Sequence, residues 1–242
     1  MLGYLPSAPP DLVARRELRC RADTKFVLPP AEAAALLPAL AADYAVLAVG
    51  AGFVARYRTL YFDTAALDCF HAQRRGRRVR QKVRIRHYPD RAVTLLEVKQ
   101  RLNELRTTKV SRGRAYADNE LTAGDQAFVA LHTGLGQDVL PQVWTEYRRV
   151  TLLGLRANER VTIDLDLAVG AGCRSRSVRA VAIVEVKQWP FSRATPVMAA
   201  LRARGWRPSS VSKYCTAIAL TRPDVRHNRL LPDLRLLASV AE

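Results

Sequence analysis

Four segments of this chain alternate charged and apolar residues at every second position. They are Arg21-Ala-Asp23-Thr-Lys25, Arg80-Gln-Lys82-Val-Arg84-Ile-Arg86, Glu97-Val-Lys99 and Glu185-Val-Lys187. Side chains of a β-strand point alternately to opposite faces, so each segment places its charges on one face and its apolar residues on the other. Several such strands form a cationic wall that repels itself unless a polyanion lies in front of it. The alternation therefore predicts a β-sheet with an anion-binding face, and phosphate is the obvious anion.

Composition narrows the class of partner. Among 242 residues, Lys and Arg number 39 against 22 Asp and Glu, which gives a formal net charge of +17. Such an excess points to nucleic acid, an anionic membrane surface or a phosphorylated molecule. Aromatic residues make up only 7% of the chain, and core packing accounts for Tyr57, Tyr61, Phe62 and Trp144. We therefore expect no specific nucleic-acid partner, because single-strand binders interleave aromatic residues with basic ones.

Cysteine usage and hydropathy bear on the compartment. Cys20, Cys69, Cys173 and Cys215 are scattered, with no Cys-x-x-Cys pair, so we expect neither a zinc ribbon nor a disulfide framework. Residues 1–10 lack a basic segment followed by an apolar core, and no apolar run is long enough to cross a membrane. The sequence predicts a cytoplasmic protein without a signal peptide or a transmembrane helix, and a membrane partner remains open.

Hydrophobic periodicity predicts more strands than helices. The predicted strands lie near 19–27, 54–62, 79–88, 93–101, 105–111, 143–152, 160–167 and 180–187. Predicted helices span 30–42, 122–133, 195–204 and 212–220, with Pro or capping residues at their starts. Most connections are short enough for antiparallel neighbours. Since no linker-like stretch divides the chain, we predict one domain over 11–222 and a C-terminal tail, 223–242, that packs back on it.

The predicted fold class is α+β. The apolar face that carries Val83, Ile85, Val98 and Val184 needs burial, and the charged face is too crowded for an open surface. A closed antiparallel eight-stranded β-barrel meets both demands, with charges lining an interior tunnel and helices packed outside. An open sheet with one basic face is the alternative, because periodicity alone does not establish closure.

A series of motifs resembles a known family over roughly residues 15–220. In chain order the motifs are Arg21-x-x-x-Lys25-Phe26, Tyr57-Arg-Thr-Leu-Tyr-Phe-Asp63-Thr64, Lys82-Val-Arg84-Ile-Arg86, Leu96-Glu97-Val-Lys99, Tyr147-Arg148-Arg149, Arg160-Val-Thr-Ile-Asp164, Val184-Glu185-Val-Lys187 and Ser212-Lys213-Tyr214. Their order is similar to that of the vacuolar transporter chaperone (VTC) catalytic domain, a triphosphate tunnel metalloenzyme. The resemblance implies an eight-stranded tunnel in which a Mn²⁺- or Mg²⁺-dependent enzyme passes the terminal phosphate of ATP to a growing polyphosphate chain.

The resemblance also implies roles for individual residues. The set assigned to catalysis is Lys25, Arg84, Arg86, Lys99 and Lys213. The set assigned to phosphate binding is Arg21, Lys109, Arg149, Arg160 and Lys187, where Arg21 and Lys187 are added from the charged rows. Glu185 is assigned as the metal ligand, whereas we interpret Glu97 as an ion-pair partner of Lys99. Arg149 is preferred to Arg148 because it precedes the Val-Thr-Leu that continues its strand.

Three functions remain open at this point: a polyphosphate polymerase, a triphosphatase acting on nucleoside or inorganic triphosphate, and a non-catalytic polyanion-binding module. Hydrolytic relatives usually carry Glu-x-Glu-x-Lys on the first strand, and Arg21-Ala-Asp23-Thr-Lys25 departs from it, which favours the polymerase. The chain has neither a G-x-x-x-x-G-K-[ST] nor a G-x-G-x-x-G motif, which disfavours P-loop and dinucleotide folds. The basic run 74–80 is interpreted as an electropositive tunnel mouth.

Overall fold

A large antiparallel sheet forms the centre of the computed structural model, which describes residues 3–18, 21–102, 107–135, 139–178 and 180–241. The strands are β1 (Ala22–Leu28), β2 (Tyr44–Val46), β3 (Ala55–Asp63), β4 (Arg80–Tyr88), β5 (Val93–Arg101), β6 (Thr107–Arg114), β7 (Leu140–Gly154), β8 (Glu159–Ala171), β9 (Arg174–Val178) and β10 (Ala182–Gln188). The helices are α1 (Pro10–Arg15), α2 (Pro30–Leu40), α3 (Asp68–Arg74), α4 (Ala123–Thr133), α5 (Pro196–Ala203), α6 (Lys213–Thr221) and α7 (Leu231–Ala241). The predicted mixture of helices with an antiparallel sheet is confirmed. Cys20 and the predicted strand ends at 19–20 and 105–106 lie outside the described residues.

The strands follow the order β1-β10-β8-β7-β3-β4-β5-β6, with β2 added to β7 and β9 added to β8. Neither β2 nor β9 was predicted. The first is three residues long and fully buried, so it shows no alternation. The second is polar and mostly exposed, and it pairs only with the last residues of β8. Both depend on a partner strand, which local periodicity does not reveal.

The sheet is curled, although hydrogen bonds do not close it. β1 and β6 lie at the two ends of the strand order, and no ladder joins them within the described residues. The predicted closed barrel is therefore not confirmed. However, Lys99 Nζ on β5 lies 3.7 Å from Asp23 Oδ2 on β1. A contact between strands so far apart in the order requires the sheet to bend until its ends face each other, which creates a concave charged face.

Helices cover the convex face, as the apolar half of each strand requires. α2 and α5 pack over β1, β10, β8 and β7, in a cluster that includes Leu28, Leu36, Val161, Val184 and Leu201. α4 packs over β3, β4 and β5 through Val129. α4 also shows why its ends were predictable: Thr122 and Asp125 form a capping box, and Gly134 ends the helix at φ 65°.

α6 lies on the concave side, so the prediction that helices pack only outside is wrong for this helix. Its Tyr214 ring stacks on Tyr61 of β3 at 5.0 Å. Its buried residues share a cluster with concave-face residues at one end of the sheet: Val27, Val143, Leu167, Val169 and Ile183. α6 is buried on nearly every side, as expected for a helix that is apolar all round. It fills one end of the concavity and directs its N-terminus toward the charged half.

The segment before α6, which we name the strap (Ser209–Ser212), runs along the free edge of β1. Ser209 N donates to Lys25 O at 2.8 Å, and the Lys25 ammonium donates to Val211 O at 2.9 Å. Lys82 Nζ on β4 donates to Ser212 Oγ at 3.0 Å. The strap therefore covers an otherwise unpaired strand edge and connects β1 to β4 across the concavity.

The C-terminal segment contacts this region. Ser210 Oγ donates to both carboxylate oxygens of Asp233 at 3.0 Å, and Leu237 of α7 is buried in the cluster beneath α6. The division of the chain at 222/223 stays a prediction. In the described part of the chain, no helix is long and apolar enough to cross a bilayer.

Candidate functional site

Strand register brings the predicted site residues onto the concave face. Residues directly opposite in a ladder point to the same side of the sheet. The opposed positions are Asp23↔Lys187↔Arg160, Lys25↔Glu185↔Thr162, Asp164↔Arg149, Tyr147↔Tyr57, Thr59↔Arg86, Tyr61↔Arg84↔Glu97 and Lys82↔Lys99↔Lys109. Arg21 precedes β1 and bonds Asp23 at 2.9 Å, and Lys213 reaches this face from the start of α6. The structure thus assembles every predicted site residue, while their roles stay predictions.

Glu97 organises the β4–β6 side. Its side chain is only 1% exposed, and it contacts Arg84 Nε at 2.7 Å and Lys109 Nζ at 2.8 Å. Arg86 Nη1 lies 4.0 Å away. Burial alone would raise the pKa of Glu97, but these three cations hold it well below its ordinary value. Glu97 is therefore an ion-pair residue, as interpreted from the sequence, although its partners lie on β4 and β6 and do not include Lys99.

Asp164 has the same position on the β7–β8 side. Arg149 contacts it in bidentate fashion, Nε to Oδ1 at 2.5 Å and Nη2 to Oδ2 at 2.8 Å, and Lys213 also donates to Oδ2. Burial opposes ionisation of this carboxyl, yet the two cations keep its pKa below the ordinary value. The two buried carboxylates, Glu97 and Asp164, thus hold five cationic groups in defined positions before any ligand binds.

Arg149 and Arg148 differ sharply in exposure. The Arg149 side chain is 15% exposed on the concave face, whereas Arg148 is 58% exposed and pairs with Asp166 on the opposite face. A register shift in the β7–β8 ladder lies between Glu146 and Arg148. The placement of Arg149 toward the site agrees with the sequence-based preference.

Two tyrosines support these arginines. The Tyr57 and Tyr147 rings stack at 5.1 Å, and the Arg149 guanidinium lies 4.9 Å from the Tyr57 centroid and 5.3 Å from that of Tyr147. Arg86 lies 5.3 Å above Tyr57, and Lys213 lies 4.7 Å from Tyr147. Cation–π attraction of this kind orients cationic groups without neutralising them. Sequence reasoning missed this role, because it assigned Tyr57 to core packing.

Lys82 is a further residue that the sequence-based assignment missed. It is opposite Lys99 and faces Lys25 across the concavity. Burial lowers its pKa from 10.5 to about 7, and repulsion from Lys25, Lys99 and Arg84 acts in the same direction. Its parity with Arg84 and Arg86 was the signal that could have identified it.

Other members of the set have fewer partners. Arg160 makes no hydrogen bond or ion pair with the described part of the chain, and burial lowers its pKa. Buried hydroxyls of Tyr147, Thr145 and Thr162 on the same face have no hydrogen-bond partner among the described residues. Buried polar groups are normally satisfied, so these three hydroxyls are exceptions on the concave face.

Glu185 is the predicted metal ligand. Oε2 accepts from Lys187, and the described residues offer no hydrogen bond to Oε1. Burial disfavours its charge, but Lys187 and Lys25 hold its pKa well below the ordinary value. No group of three His, Cys, Asp or Glu side chains comes together in the described part of the chain. Mg²⁺ and Mn²⁺ usually take one or two carboxylates plus substrate phosphates, so Glu185, with Asp23 as its diagonal neighbour on β1, fits such an ion.

Comparisons with known proteins found one family and several similar structures. The family described as VTC domain matches residues 20–222. HpAC1 from Hippeastrum, described as a candidate adenylyl cyclase with a dominant triphosphatase activity, has a similar structure, with a TM-score of 0.55 and 17% identity over 83% of this chain and 96% of that one. A candidate adenylate cyclase from Bacillus halodurans has a TM-score of 0.48 and 11% identity over 79% and 93%. No curated protein sequence matches the chain.

At such low identity the structural likeness to HpAC1 shows a shared fold and nothing further. The family match is of a different kind, because it extends over most of the chain and contains every residue of the concave face from Arg21 to Lys213. The motif order noted in the sequence agrees with it. This chain belongs to the VTC domain family.

Proposed function

We propose that this protein is a metal-dependent polyphosphate polymerase. The terminal phosphoryl group of ATP is transferred to the end of a polyphosphate chain: the bond from the γ-phosphorus to the β–γ bridging oxygen breaks, ADP leaves, and a terminal oxygen of the chain forms the new P–O–P link. Such transfers need in-line positioning and neutralised charge more than covalent help from the protein.

The observation that supports this proposal is the excess of cations on the concave face. The cationic side chains are Arg21, Lys25, Lys82, Arg84, Arg86, Lys99, Lys109, Arg149, Arg160, Lys187 and Lys213, and the carboxylates are Asp23, Glu97, Asp164 and Glu185. Arginine forks and lysine point charges in successive rows suit consecutive phosphates. Because Glu97 and Asp164 hold their arginines in place without a ligand, these side chains lose little conformational entropy when phosphate binds.

The site fits one divalent cation shared with the phosphates. Glu185, with Asp23 beside it, supplies the protein oxygens, and when bound the ion polarises the phosphoryl oxygens and offsets their charge. Lys25 and Lys187 flank this position and place cations on either side of the carboxylate. Mn²⁺ and Mg²⁺ both suit an all-oxygen set.

The first strand favours an anionic acceptor over water. Arg21 occupies the position where hydrolytic relatives usually have a glutamate, and its guanidinium bonds Asp23. Lys99 contacts the same aspartate. Arg21 just before β1, Lys25 on it and Lys99 opposite it thus add cations that attract a second phosphate chain, which a hydrolase does not require. The second candidate is a triphosphatase acting on nucleoside or inorganic triphosphate, which the fold shared with HpAC1 favours.

The enclosure of the site belongs to the same proposal. The strap spans the concavity from β1 to β4, α6 fills one end of it, and the described residues have no strand ladder between β1 and β6, the two ends of the sheet. We propose that the strap and α6, with the curled sheet, form the tunnel, that residues 11–222 are the catalytic unit, and that residues 223–242 pack on it. The contacts of Asp233 and Leu237 support the last point. The proposed setting is cytoplasmic.

One experiment separates the candidate functions. Purified protein is incubated with ATP and Mn²⁺ or Mg²⁺, and the products are resolved on a gel that separates phosphate chains by length. A polymerase yields long polymer, a triphosphatase yields free phosphate, and a non-catalytic polyanion-binding module yields neither. The Arg84→Ala variant is the control for contaminating activity, because it removes a predicted substrate contact. Absence of polymer under both metals would exclude the leading proposal.

A further inference from the structure

A second cationic surface lies outside the concave face. It is built from the end of α3 with the loop that follows it, and from the segment just before α7. We name it the rim patch, and its members are Arg74, Arg75, Arg77, Arg78, Arg226 and Arg229. All are exposed except Arg74, which is partly buried.

Two distant segments meet in the rim patch. Arg229 Nη1 donates to the backbone oxygen of Arg75 at 3.3 Å. Burial lowers the pKa of Arg74, and repulsion from Arg75, Arg226 and Arg229 lowers it further. These guanidinium groups are therefore close enough to repel one another, although they belong to segments about 150 residues apart.

The charge of the rim patch is uncompensated. None of its arginines forms an ion pair with the described residues, and Arg74 Nε and the neighbouring His71 Nδ1 are buried without a hydrogen-bond partner. Some exposed arginines elsewhere pair with a carboxylate, as Arg56, Arg58 and Arg148 do, and others, such as Arg176, do not in the described part of the chain. The rim patch differs from both because its unpaired arginines come from two distant segments that meet.

The rim patch continues a row of charges on β4. Arg86, Arg84, Lys82 and Arg80 follow one another on the same face at every second residue, about 7 Å apart. Arg80 ends the row, and its Nη1 donates to the backbone oxygen of Arg77 at 2.9 Å. The row of charges thus runs from the concave face, past the strap at Lys82, to the backbone of the rim patch.

We propose that the rim patch binds the part of an inorganic polyphosphate chain that extends beyond the concave site. The proposal rests on the proposed function, because it identifies the chain as the polymer which that site handles. Guanidinium forks suit phosphate oxygens, and a chain without bases needs no stacking partner. Segments 71–80 and 226–229 indeed expose no aromatic side chain, which favours polyphosphate over nucleic acid. Arg226 and Arg229 lie beyond the family match, which ends at residue 222.

The test compares a short and a long ligand by calorimetric titration at several salt concentrations. Tripolyphosphate probes the concave site, and long-chain polyphosphate probes both surfaces. In the double variant Arg78→Gln/Arg229→Gln, the slope of log K against log salt for the long chain should fall by about 1.4, at about 0.7 for each lost cation. Tripolyphosphate affinity should be unchanged. The matched control Arg176→Gln/Arg202→Gln removes the same charge from two exposed arginines on β9 and α5, and it should leave both slopes as in the wild type.

The titrations test the rim patch and the concave site separately. An unchanged long-chain slope in the Arg78/Arg229 variant, or an equal loss in the control, overturns the rim patch. So does a loss confined to a single-stranded oligonucleotide or to anionic phospholipid vesicles, titrated in parallel. Failure of the wild type to bind tripolyphosphate would instead contradict the proposed function, and the long-chain titration would still report on the rim patch separately.

Discussion

Replacing Glu97 by Gln should destabilise the protein strongly although it preserves the shape of the side chain. The carboxylate is 1% exposed and faces Arg84, Arg86 and Lys109. Removing one partner of a buried ion pair costs about 3–5 kcal/mol. Since the Gln oxygen can still accept one hydrogen bond, we expect a loss of about 3 kcal/mol at the lower end of that range. For a chain of this size the loss corresponds to a decrease in Tm of about 6–12 °C.

The assay is thermal unfolding with and without tripolyphosphate. Without ligand, Glu97→Gln should show the full decrease in Tm. With saturating tripolyphosphate the difference from wild type should narrow, because phosphate oxygens supply near Arg84 the negative charge that the variant lacks, so the variant gains more from the ligand than the wild type does. The matched control is Glu146→Gln, which removes an exposed pair with Arg58, 2.9 Å apart and about half exposed on both sides, worth about 0–1 kcal/mol.

The reasoning on Glu97 is refuted if its variant loses no more stability than the Glu146 variant. A large loss that tripolyphosphate does not reduce would contradict a narrower point, namely that the cations around Glu97 face the ligand. Because Glu97→Gln is expected to destabilise the protein, this variant cannot serve as the activity control for Glu185→Gln.

Three further outcomes are expected. Arg84→Ala and Arg86→Ala should each weaken tripolyphosphate binding by about 1.5–3 kcal/mol in calorimetry, whereas Arg148→Ala should not change it. Equal effects in all three variants would mean that the ligand does not bind on the concave face. Glu185→Gln should abolish metal-dependent turnover and retain tripolyphosphate binding, and full activity at any Mn²⁺ or Mg²⁺ concentration would remove the ligand assignment. Lys82 has a lowered pKa of about 7, so it is mostly neutral at pH 8 and should take up close to one proton when phosphate binds; the binding enthalpy should then vary with the ionisation enthalpy of the buffer, and Lys82→Met should reduce that variation without abolishing it, because the pKa of Lys187 is also lowered, to about 8.

Strand positions were predictable because the signal is local. Alternation along 80–86 requires nothing but the pleat of a strand, and the structure has β4 at Arg80–Tyr88. The same parity identified Arg84, Arg86 and Lys99 as neighbours on one face. Register was not predictable, since it depends on which strands meet. For this reason the partners of Glu97 on β6 and of Asp164 on β7 could be found only in the structure.

The burial of α6 was open to prediction, whereas its position in the fold was not. Along 213–221 the helix carries Tyr, Cys, Ile, Leu, Ala and Thr on all sides, with Lys213 as its single charged residue. A helix without a polar face is expected to be buried on all sides, which a position on the outside of a barrel does not provide. The sequence therefore contained evidence that α6 does not lie on the outside of the sheet, but it did not indicate which face of the sheet the helix packs against.

The buried carboxylates resolve a conflict between folding and binding. Cations a few ångströms apart repel by about 4 kcal/mol per pair at an effective dielectric constant of about 20, so a concave face of arginine and lysine alone would oppose the curling of the sheet. Glu97 and Asp164 offset that repulsion from beneath the cations, where they are 1% exposed and a ligand does not displace them. Cations outside these two clusters, such as Arg160, carry the excess charge that a phosphate chain neutralises. Glu97 and Asp164 thus support stability without contacting the ligand, whereas Arg84 serves both purposes, because its loss leaves Glu97 short of a buried partner and removes a predicted phosphate contact. Glu97→Gln should therefore reduce mainly stability, and Arg84→Ala should reduce both stability and phosphate binding.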